Sequence, residues 1–356
     1  MRVAIVHDDL VQWGGAERVL LGLLEIYPDA SIYTSLFDRT NAALLRNFDS
    51  KKVITSFLQE VPGWKSLYKI LLPFYPFAFE QFDFSKFDLV ISHTTRFAKS
   101  IVTKPQTLHI CYMHTPPRFL WHFSGEVSFG PAEILLTQMR IYDRVSSSRA
   151  DFFLAGSGNA RKRIKKVYNL ESKVVYPFVD LERFKGIESF DGGYFAIVGR
   201  PNKYKRFDLA VSACLKLGVP LKVIGSSLNL SSLGKIKDSQ RLISFLGSID
   251  DDILVSVLAG CKALIIPGIE DFGLTSLEAQ ALGKPVVAYK AGGALETVIP
   301  GKTGILFDSQ TTESLVDALK KLNTIKINQD DCRENAARFS KKIFIKNFKQ
   351  TVVSLQ

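Results

Sequence analysis

The sequence contains little cysteine and no long apolar run, and both shortages exclude classes of protein. Its four cysteines show no C-x-x-C spacing, so the pattern indicates neither a zinc site nor a disulfide framework. No apolar run reaches the roughly 20 residues that a membrane-spanning helix requires. The chain opens on a strand-like segment, residues 1–7, without the pattern of a signal peptide. We therefore expect a cytoplasmic protein in a reducing compartment.

Acidic residues are also scarce relative to basic ones. The chain has 46 Lys and Arg against 35 Asp and Glu, a formal net charge of +11. Such an excess suits phosphorylated ligands, nucleic acid or an anionic membrane surface. Nucleic acid is not expected, because the most basic helix, residues 160–167, has no interleaved aromatic platforms and no recognised module accompanies it. A solvated helix face is favoured for 160–167, with attraction to anionic lipid or phosphate as the alternative.

The length of 356 residues exceeds what one hydrophobic core usually supports, which predicts two domains. Short apolar runs alternate with helical segments along the whole chain. This alternation predicts an α/β fold with two doubly wound, Rossmann-like domains. We place the first domain at 1–180 and the second at 181–340, followed by an amphipathic C-terminal helix at 341–356. The stretch 185–193, which contains three glycines, is predicted to be the linker.

Residues 263–281 form the most informative stretch: a buried apolar strand, a turn with two glycines, and a helix. In open α/β sheets, ligands bind outside the carboxyl ends of the strands, so this turn predicts a binding site. The backbone N–H groups of Phe272, Gly273 and Leu274 lie at a helix N-terminus and suit phosphate or sugar oxygens. Glu270 precedes the helix. A carboxylate there would repel a phosphate, so Glu270 is predicted to accept hydrogen bonds from hydroxyl groups.

Glu278 has two interpretations. Thr275 and Glu278 have the spacing of a capping box, which predicts that the helix begins near Thr275 and gives Glu278 a structural role. A ligand-binding role for Glu278 stays equally open from this spacing. The helix is predicted to end at Gly283, before Lys284-Pro285.

A second strand-to-helix turn, residues 199–208, carries four cations. Gly199 allows close backbone approach there, and the helix dipole also favours anions. Arginine grips a phosphate through two N–H groups and lysine adds a compact charge, so Arg200 and Lys205 are predicted to bind a diphosphate. The alternative is a set of solvated surface charges, which the clustering disfavours.

The first domain offers fewer specific candidates. Its first strand leads to Gly14 and Gly15 at a helix start, a phosphate-type turn that is not specific by itself. Another strand leads to His114, where a histidine can face a ligand, and His93 follows a third strand as a second candidate. No metal cage is evident, since Asp8 and its acidic neighbour are expected to be loop residues.

Residues 57–84 mix aromatic residues, leucines and lysines and are interrupted by prolines. The segment cannot span a bilayer, but aromatic and basic residues on one short amphipathic element suit the headgroup layer. The alternative is a helix and loop packed on the domain core, with Pro73 and Pro76 fixing the turn. We favour membrane contact at the inner leaflet.

The spacing Glu270-x7-Glu278, with Phe-Gly-Leu between the two acids, resembles the signature of the retaining family-4 glycosyltransferases of GT-B fold. Three further motifs occur in the family's order: Gly-Gly-Ala-Glu at 14–17, Gly-Arg-x4-Lys at 199–205 and the glycine pair at 292–293. The resemblance therefore covers nearly the whole chain. His-Thr-Pro-x-Arg-x-x-Trp at 114–121 resembles the O-antigen-type mannosyltransferases of that family.

The resemblance implies that two Rossmann-like domains face a central cleft, with the acceptor on the first and the nucleotide sugar on the second. It also implies that the C-terminal helix crosses back to pack on the first domain. By the same resemblance, Arg200 and Lys205 bind the donor diphosphate. Glu278 binds the ribose hydroxyls, Glu270 orients the hexose and His114 contacts the transferred sugar.

Further residues take donor or acceptor roles by resemblance only. Gly14 and Gly15 approach the donor diphosphate and the acceptor, while the backbone of Gly247 meets the nucleobase. Arg118 and Trp121 are assigned to the acceptor side.

The implied reaction is retaining, metal-independent transfer of a hexose to a glycan or lipid-linked acceptor in surface polysaccharide or glycolipid synthesis. Mannose from GDP-mannose is favoured, other donors remain open, and no cofactor beyond the nucleotide sugar is expected. Two alternatives remain: a nucleotide-sugar epimerase of the same double fold, which would need no acceptor, and a non-catalytic nucleotide-sugar-binding member of an assembly. The sequence does not define the oligomeric state.

Overall fold

The computed structural model describes residues 1–49, 51–68, 70–121, 123, 132–200, 202–225 and 241–355. They form two compact units, each built around its own parallel sheet. The first unit comprises Met1–Pro177 together with Phe344–Gln356, and the second comprises Phe178–Ile343. The chain passes between the units at 177/178, where the sequence suggested 180/181.

The strands of both units are short and mostly buried. Those of the first unit are β1 Val3–His7, β2 Ser31–Thr34, β3 Val53–Thr55, β4 Leu89–Thr94, β5 Leu108–Met113, β6 Phe152–Ala155 and β7 Lys173–Val174. Those of the second unit are β8 Tyr194–Val198, β9 Leu221–Ile224, β10 Ile243–Gly247, β11 Cys261–Ile266, β12 Val286–Tyr289 and β13 Gly304–Phe307.

The helices connect these strands. They are α1 Gly15–Ile26, α2 Ala42–Phe48, α3 Trp64–Leu67, α4 Tyr75–Glu80, α5 Ala132–Ser146, α6 Gly158–Tyr168, α7 Phe207–Leu217, α8 Asp251–Gly260, α9 Leu274–Ala281, α10 Ala294–Thr297, α11 Thr312–Leu322, α12 Gln329–Ala337 and α13 Lys341–Val353. Side-chain caps fix several of their starts; for example, Ser157 accepts a hydrogen bond from the backbone N–H of Ala160 at 2.9 Å before α6.

The first sheet has the order β3-β2-β1-β4-β5-β6-β7 and is parallel throughout. From β1 the chain first adds strands on one side of the sheet (β2 and β3) and then on the other side (β4 to β7). The carboxyl ends of β1 and β4 therefore form a topological switch point, which is where ligands bind in doubly wound sheets. Register places His7 opposite His93, and His93 opposite Tyr112, at the carboxyl ends of β1, β4 and β5. Three aromatic rings therefore lie side by side at this switch point.

The C-terminal helix α13 ends in the first unit. Its Phe344 and Phe348 are buried, and their ring centroids lie 6.1 and 5.9 Å from that of Tyr112. Burial of these aromatic rings accounts for the amphipathic pattern of the last helix.

The described residues of the segment 57–84 include short helical turns, and their aromatic side chains divide into a buried and an exposed set. Tyr75 and Phe79 are fully buried in the core of the first unit, as expected of a packed loop, whereas Phe74 and Phe77 are 49% and 61% exposed. Lys69, part of the predicted headgroup-binding pattern, lies outside the described residues.

The second sheet has the order β10-β9-β8-β11-β12-β13, the arrangement of a Rossmann-like domain. Its switch point lies between β8 and β11. Residues 185–193 are not the linker that their glycines predicted, because they are fixed to the second unit. The N–H of Phe190 donates to the carbonyl of Ala259 at 3.1 Å, and that of Gly192 donates to Gly260 at 2.8 Å. Gly192 serves this close packing, since a Cβ there would lie 2.9 Å from the carbonyl oxygen of Gly260.

Candidate functional site

At the switch point of the second unit, the cationic loop after β8 meets the turn after β11. The Nζ of Lys205 lies 2.6 Å from Oε1 of Glu270, and the two side chains are 17% and 19% exposed. They line a small pocket together with Gly273 and Thr275, over the apolar ends of β8 and β11. Two of the sequence-predicted residues, a cation and an acid from loops 65 positions apart, therefore meet as an ion pair.

Glycine is required where these two loops touch. A Cβ on Gly268 would lie 2.3 Å from the carbonyl oxygen of Tyr204 and 2.6 Å from the Cα of Lys205. Gly199 has φ of 141°, and a Cβ there would lie 3.1 Å from Nζ of Lys205. Side chains at either position would displace the lysine from Glu270.

A second glycine turn supports Glu270 from the other side. The N–H of Gly293 donates to the carbonyl of Glu270 at 2.9 Å, and a Cβ on Gly293 would lie 2.1 Å from the carbonyl oxygen of Phe272. Gly292 has φ of 61° and a Cβ there would lie 2.4 Å from the carbonyl oxygen of Glu270. The glycine pair thus holds the turn 270–272 in place by backbone contact.

The predicted capping box is wrong. Helix α9 begins at Leu274, and its N-cap is Gly273, with φ of 95° and no side chain to accept a bond. Glu278 instead accepts a hydrogen bond from Nη1 of Arg183 at 3.1 Å. A left-handed glycine ends the turn two residues before Thr275, so the carboxylate of Glu278 is not needed at the cap.

Arg183 is a site residue that the sequence analysis missed. It also lies 3.5 Å from Asp251, so it links two acids in the second unit, and its side chain is 19% exposed. The Arg183–Glu278 contact joins residues 95 positions apart, for which local spacing gives no signal.

The other predicted donor-binding residues lie outside the lining of the Lys205–Glu270 pocket. Arg200 is exposed after β8 and makes no ion pair with any described residue, while Arg206 is held by Asp208 at 2.9 Å. Gly247 ends β10 with φ of 68°. Phe272 is buried and its ring packs against Phe339, so the ring does not line the pocket.

In the first unit, three histidines form a hydrogen-bonded chain at the switch point. Nδ1 of His7 lies 3.0 Å from Nδ1 of His93, and Nε2 of His93 lies 2.6 Å from Nε2 of His114. Glu17 of α1 stands at the inner end, with Oε1 3.7 Å from Nε2 of His7. The structure thus brings His114 together with the second candidate His93, and it adds His7 and Glu17, which the sequence analysis did not select.

The two inner histidines have opposite electrostatic surroundings. Burial disfavours a charge on His7, but the nearby carboxylates of Glu17, Asp8 and Asp9 together raise its pKa above the usual value. Burial, reinforced by the neighbouring His114 and His7, holds the pKa of His93 well below its usual value. These surroundings therefore favour a charged ring at His7 and a neutral ring at His93.

The acidic pair after β1 fixes the loops around this chain. Asp8 accepts hydrogen bonds from Thr94 and from the backbone of the turn after β4, including Ala98 N–H at 2.9 Å. Burial opposes the charge of Asp8, but Arg96 and these bonds keep its pKa below the usual value. Asp9 pairs with Arg96 and accepts a hydrogen bond from Tyr68 at 2.7 Å. Both acids are loop residues, as expected, and they hold neighbouring loops in place.

The glycines and the acceptor-side candidates of the first unit occupy different surroundings. Gly14 is the N-cap of α1 and Gly15 its first residue; a Cβ on Gly14 would lie 3.3 Å from Oε2 of Glu17. Trp121 donates its indole N–H to Asp143 at 2.8 Å, so that group already has a partner, and Arg118 is half-buried in the same segment.

Residues 13–183 match the model described as Glycosyltransferase Family 4, and residues 179–339 match the model described as Glycosyl transferases group 1. Together the two matches run from residue 13 to residue 339, and the chain belongs to the glycosyltransferases of this type. Its two Rossmann-like units form a fold of the GT-B class.

The individual proteins that the chain resembles share limited sequence identity with it. An uncharacterized glycosyltransferase from Methanocaldococcus jannaschii is 26% identical over 57% of this chain and 58% of its own. An alpha-1,3/1,6-mannosyltransferase from Dictyostelium discoideum is 34% identical over 37% of this chain and 34% of its own. The chain thus spans about half or less of the length of these relatives. The crystal structure of Anabaena HepE in complex with UDP has a TM-score of 0.74 at 19% identity, covering 99% of this chain and 100% of HepE.

The described residues contain no cluster of three or more His, Cys, Asp or Glu side chains arranged to hold a metal ion. None of the helices within the described ranges has both the length and the apolar character needed to cross a bilayer.

Proposed function

We propose that the protein transfers a hexose, with retention of configuration, from a nucleotide sugar to a glycan or lipid-linked acceptor. The observation that carries the proposal is the Lys205–Glu270 pair at the switch point of the second unit, where a cation for a diphosphate and an acid for sugar hydroxyls share one pocket.

The departing nucleoside diphosphate needs positive charge. Arg200 and Lys205 supply it in the proposal, together with backbone N–H groups at the start of α9, which lie at the positive end of the helix dipole. Lys205 is partly shielded from water, where a charge–charge interaction is stronger than at the open surface. No divalent metal is assigned a role, and turnover that is unchanged by a chelator is the expected result.

The two acids bind hydroxyl groups in this scheme. Glu270 orients the hexose, and its ion pair with Lys205 reduces the repulsion that a carboxylate would exert on a nearby phosphate. Glu278 binds the ribose hydroxyls, and Arg183 holds it ready for that contact. Gly247 places its backbone near the nucleobase.

The sugar and the acceptor involve residues of the first unit. We assign His114 to the transferred sugar, Gly14 and Gly15 to the diphosphate and acceptor, and Arg118 and Trp121 to the acceptor side. For Trp121 the contact is through the ring edge, because Asp143 holds its N–H.

We propose GDP-mannose as the donor. The mannosyltransferase-like segment 114–121 supports it, as does the similarity to a relative named as a mannosyltransferase. UDP-sugars are the necessary comparison, since the Anabaena structure of similar fold contains UDP. Mutational loss of a charged contact to the diphosphate typically weakens binding by about 1.5–3 kcal/mol.

Peripheral contact with the cytoplasmic face of a membrane completes the proposal. Phe74 and Phe77 expose large apolar surfaces within the segment 57–84. Exposed aromatic side chains of this size suit the headgroup layer of an anionic bilayer. The double variant Phe74→Ser/Phe77→Ser should no longer sediment with anionic vesicles. Ile253 of the second unit is similarly exposed, and the control variant Ile253→Ser should still sediment with them.

A donor panel tests the function. GDP-mannose, UDP-glucose and related donors are titrated by calorimetry, and each donor that binds is then assayed for transfer to lipid-linked acceptors. Tight binding of one donor with acceptor-dependent transfer supports the proposal. Conversion of the donor without any acceptor would instead indicate an epimerase, and binding without hydrolysis or transfer would indicate a non-catalytic protein.

A further inference from the structure

A group of buried polar side chains joins three helices of the second unit. Its members are Ser276 and Gln280 of α9, Thr297 of α10 and Asn335 of α12, and all four residues are at most 3% exposed. A buried polar group costs free energy unless it is hydrogen-bonded. The hydrogen bonds within this group therefore show what holds the three helices together.

The neighbouring groups fix how the two amides are oriented. Nη1 of Arg338 donates to Oδ1 of Asn335 at 3.0 Å, which turns Nδ2 of Asn335 to the opposite side. There Nδ2 lies 2.6 Å from Oε1 of Gln280 and 2.9 Å from the carbonyl oxygen of Thr297. A guanidinium only donates and a backbone carbonyl only accepts, so a reversed Asn335 would set donor against donor and acceptor against acceptor. Nε2 of Gln280 donates to the same carbonyl at 2.8 Å and to Oγ of Ser276 at 3.0 Å.

The two amides share one target, the carbonyl of Thr297 at the end of α10. This helix is a single turn, and the last carbonyl groups of a helix have no partner within it. Both lone pairs of this carbonyl are filled from other helices, one by Gln280 of α9 and one by Asn335 of α12. Each side-chain amide uses both of its N–H groups, so the network is fully bonded and specifies one arrangement of the three helices.

Thr297 connects this network to the glycine turn that contacts Glu270. The N–H and the hydroxyl of Thr297 both donate to the carbonyl of Gly293, at 3.0 and 3.1 Å. The N–H of Gly293 donates in turn to the carbonyl of Glu270 at 2.9 Å. Because no flexible side chain separates Gly293 from the turn 270–272, a shift of α10 moves the backbone that carries Glu270.

We propose that Gln280 and Asn335 are positioning residues of the donor site, which hold α10 in place and thereby fix the carboxylate of Glu270 beside Lys205. Neither amide is among the described residues that line the pocket of this ion pair, so both act through the backbone. Their effect on transfer rests on the proposed function, in which Glu270 orients the hexose. The placement of the turn itself does not depend on that function.

Amide hydrogen exchange of the full-length protein, resolved by NMR, tests the placement of the turn in the absence of substrate. Asn335→Leu removes the amide of α12 without adding a charge, and Gln280→Met does the same on α9. Each variant leaves the carbonyl of Thr297 with one donor instead of two, so α10 should open more often. We expect the N–H of Gly293 to exchange about 10-fold faster in both variants, while the N–H groups of β11, which exchange when the whole unit unfolds, accelerate less.

Asn328→Ala is the matched control on the same helix. Asn328 is the N-cap of α12, where its side chain accepts a hydrogen bond from the N–H of Asp330 at 3.0 Å. Loss of this cap destabilises the helix, so the control should have a lower melting temperature without selective acceleration at Gly293. Equal acceleration of Gly293 and of the β11 N–H groups in Asn335→Leu and Gln280→Met would overturn the proposal, because the two amides would then only stabilise the unit as a whole.

Kinetics connect the placement of the turn with transfer. A misplaced Glu270 should orient the hexose poorly, so Asn335→Leu and Gln280→Met should lower kcat by about 10–100-fold and leave the calorimetric affinity for GDP nearly unchanged. Asn328→Ala should keep the kcat of the wild type. Faster exchange at Gly293 with an unchanged kcat would overturn the positioning role. Absence of transfer by the wild type with every donor would contradict the proposed function alone, since the exchange result does not depend on it.

Discussion

Replacing Gly268 by alanine is expected to disable the donor site while the second unit stays folded. The new Cβ would lie 2.3 Å from the carbonyl oxygen of Tyr204 and 2.6 Å from the Cα of Lys205. Ordinary contacts of these atoms lie near 3.5 Å, so the cationic loop must move by about 1 Å. Lys205 now lies 2.6 Å from Glu270, and a displacement of that size removes their contact.

The expected loss is large because geometry controls both binding and rate. A misplacement of about 1 Å typically costs about 100-fold in rate. The strain of an added methyl group is about 1–3 kcal/mol, which the exposed loop can relieve by moving. We therefore expect a roughly 100-fold fall in kcat/KM for the donor and a melting temperature only slightly reduced.

The assay compares calorimetric donor binding and transfer kinetics of Gly268→Ala with those of Gly301→Asn. Gly301 has φ of 75° and open space around the position of a Cβ, and asparagine tolerates this backbone conformation. The control should behave like the wild type. Full donor affinity and turnover in Gly268→Ala would refute the view that the approach of these loops builds the site.

Three further predictions concern charge. Arg200→Ala should lower donor affinity about 10–100-fold without unfolding, as loss of a charged phosphate contact does; unchanged transfer kinetics would disprove its role. Glu270→Gln should chiefly lower kcat, whereas a lower melting temperature without a kinetic loss would indicate a structural residue. Acid should destabilise the first unit through His109, whose pKa burial lowers from 6.5 to about 4. The unfolded chain binds a proton below pH 6.5 that the folded state does not, so stability is present above pH 6.5 and falls by about 2 kcal/mol on reaching pH 5. Urea unfolding followed by tryptophan fluorescence measures this, since all three tryptophans lie in the first unit, and His109→Gln should lose less.

Much of the fold was predictable because local chemistry determines it. The strand 261–266 ends in the continuous apolar run 263–266, as expected of a doubly covered parallel strand, and glycines mark the turns that follow such strands. Lys205 and Glu270 could be selected for the same reason: each lies in a loop after a strand, and neighbouring parallel strands bring such loops to one edge of the sheet.

The errors have physical causes too. Thr275 and Glu278 have capping-box spacing, but the sequence does not show that Gly273 adopts the left-handed conformation that ends the turn first. The glycines of 185–193 suggested a linker, although Gly192 packs closely against Gly260 and the segment belongs to the second unit. In both cases glycine permits several conformations, and only tertiary contacts select one.

The histidine chain required register, which single residues do not reveal. His7 and His93 lie at the carboxyl ends of their strands, a position that also suits an ordinary buried histidine. Their contact arises because β1 and β4 are neighbours and pair with those two residues opposite each other. The Arg183–Glu278 contact likewise depends on folding across 95 positions.

The central claim, retaining hexosyl transfer from a nucleotide sugar, is tested most directly by proton NMR during turnover. The protein is incubated with GDP-mannose and a soluble analogue of a lipid-linked acceptor, and the anomeric signals of donor and product are followed with time. We predict an α-linked mannoside that forms in step with GDP, and its formation should fall in Arg200→Ala. Formation of the β-linked product, or GDP release that does not depend on the acceptor, would contradict the account.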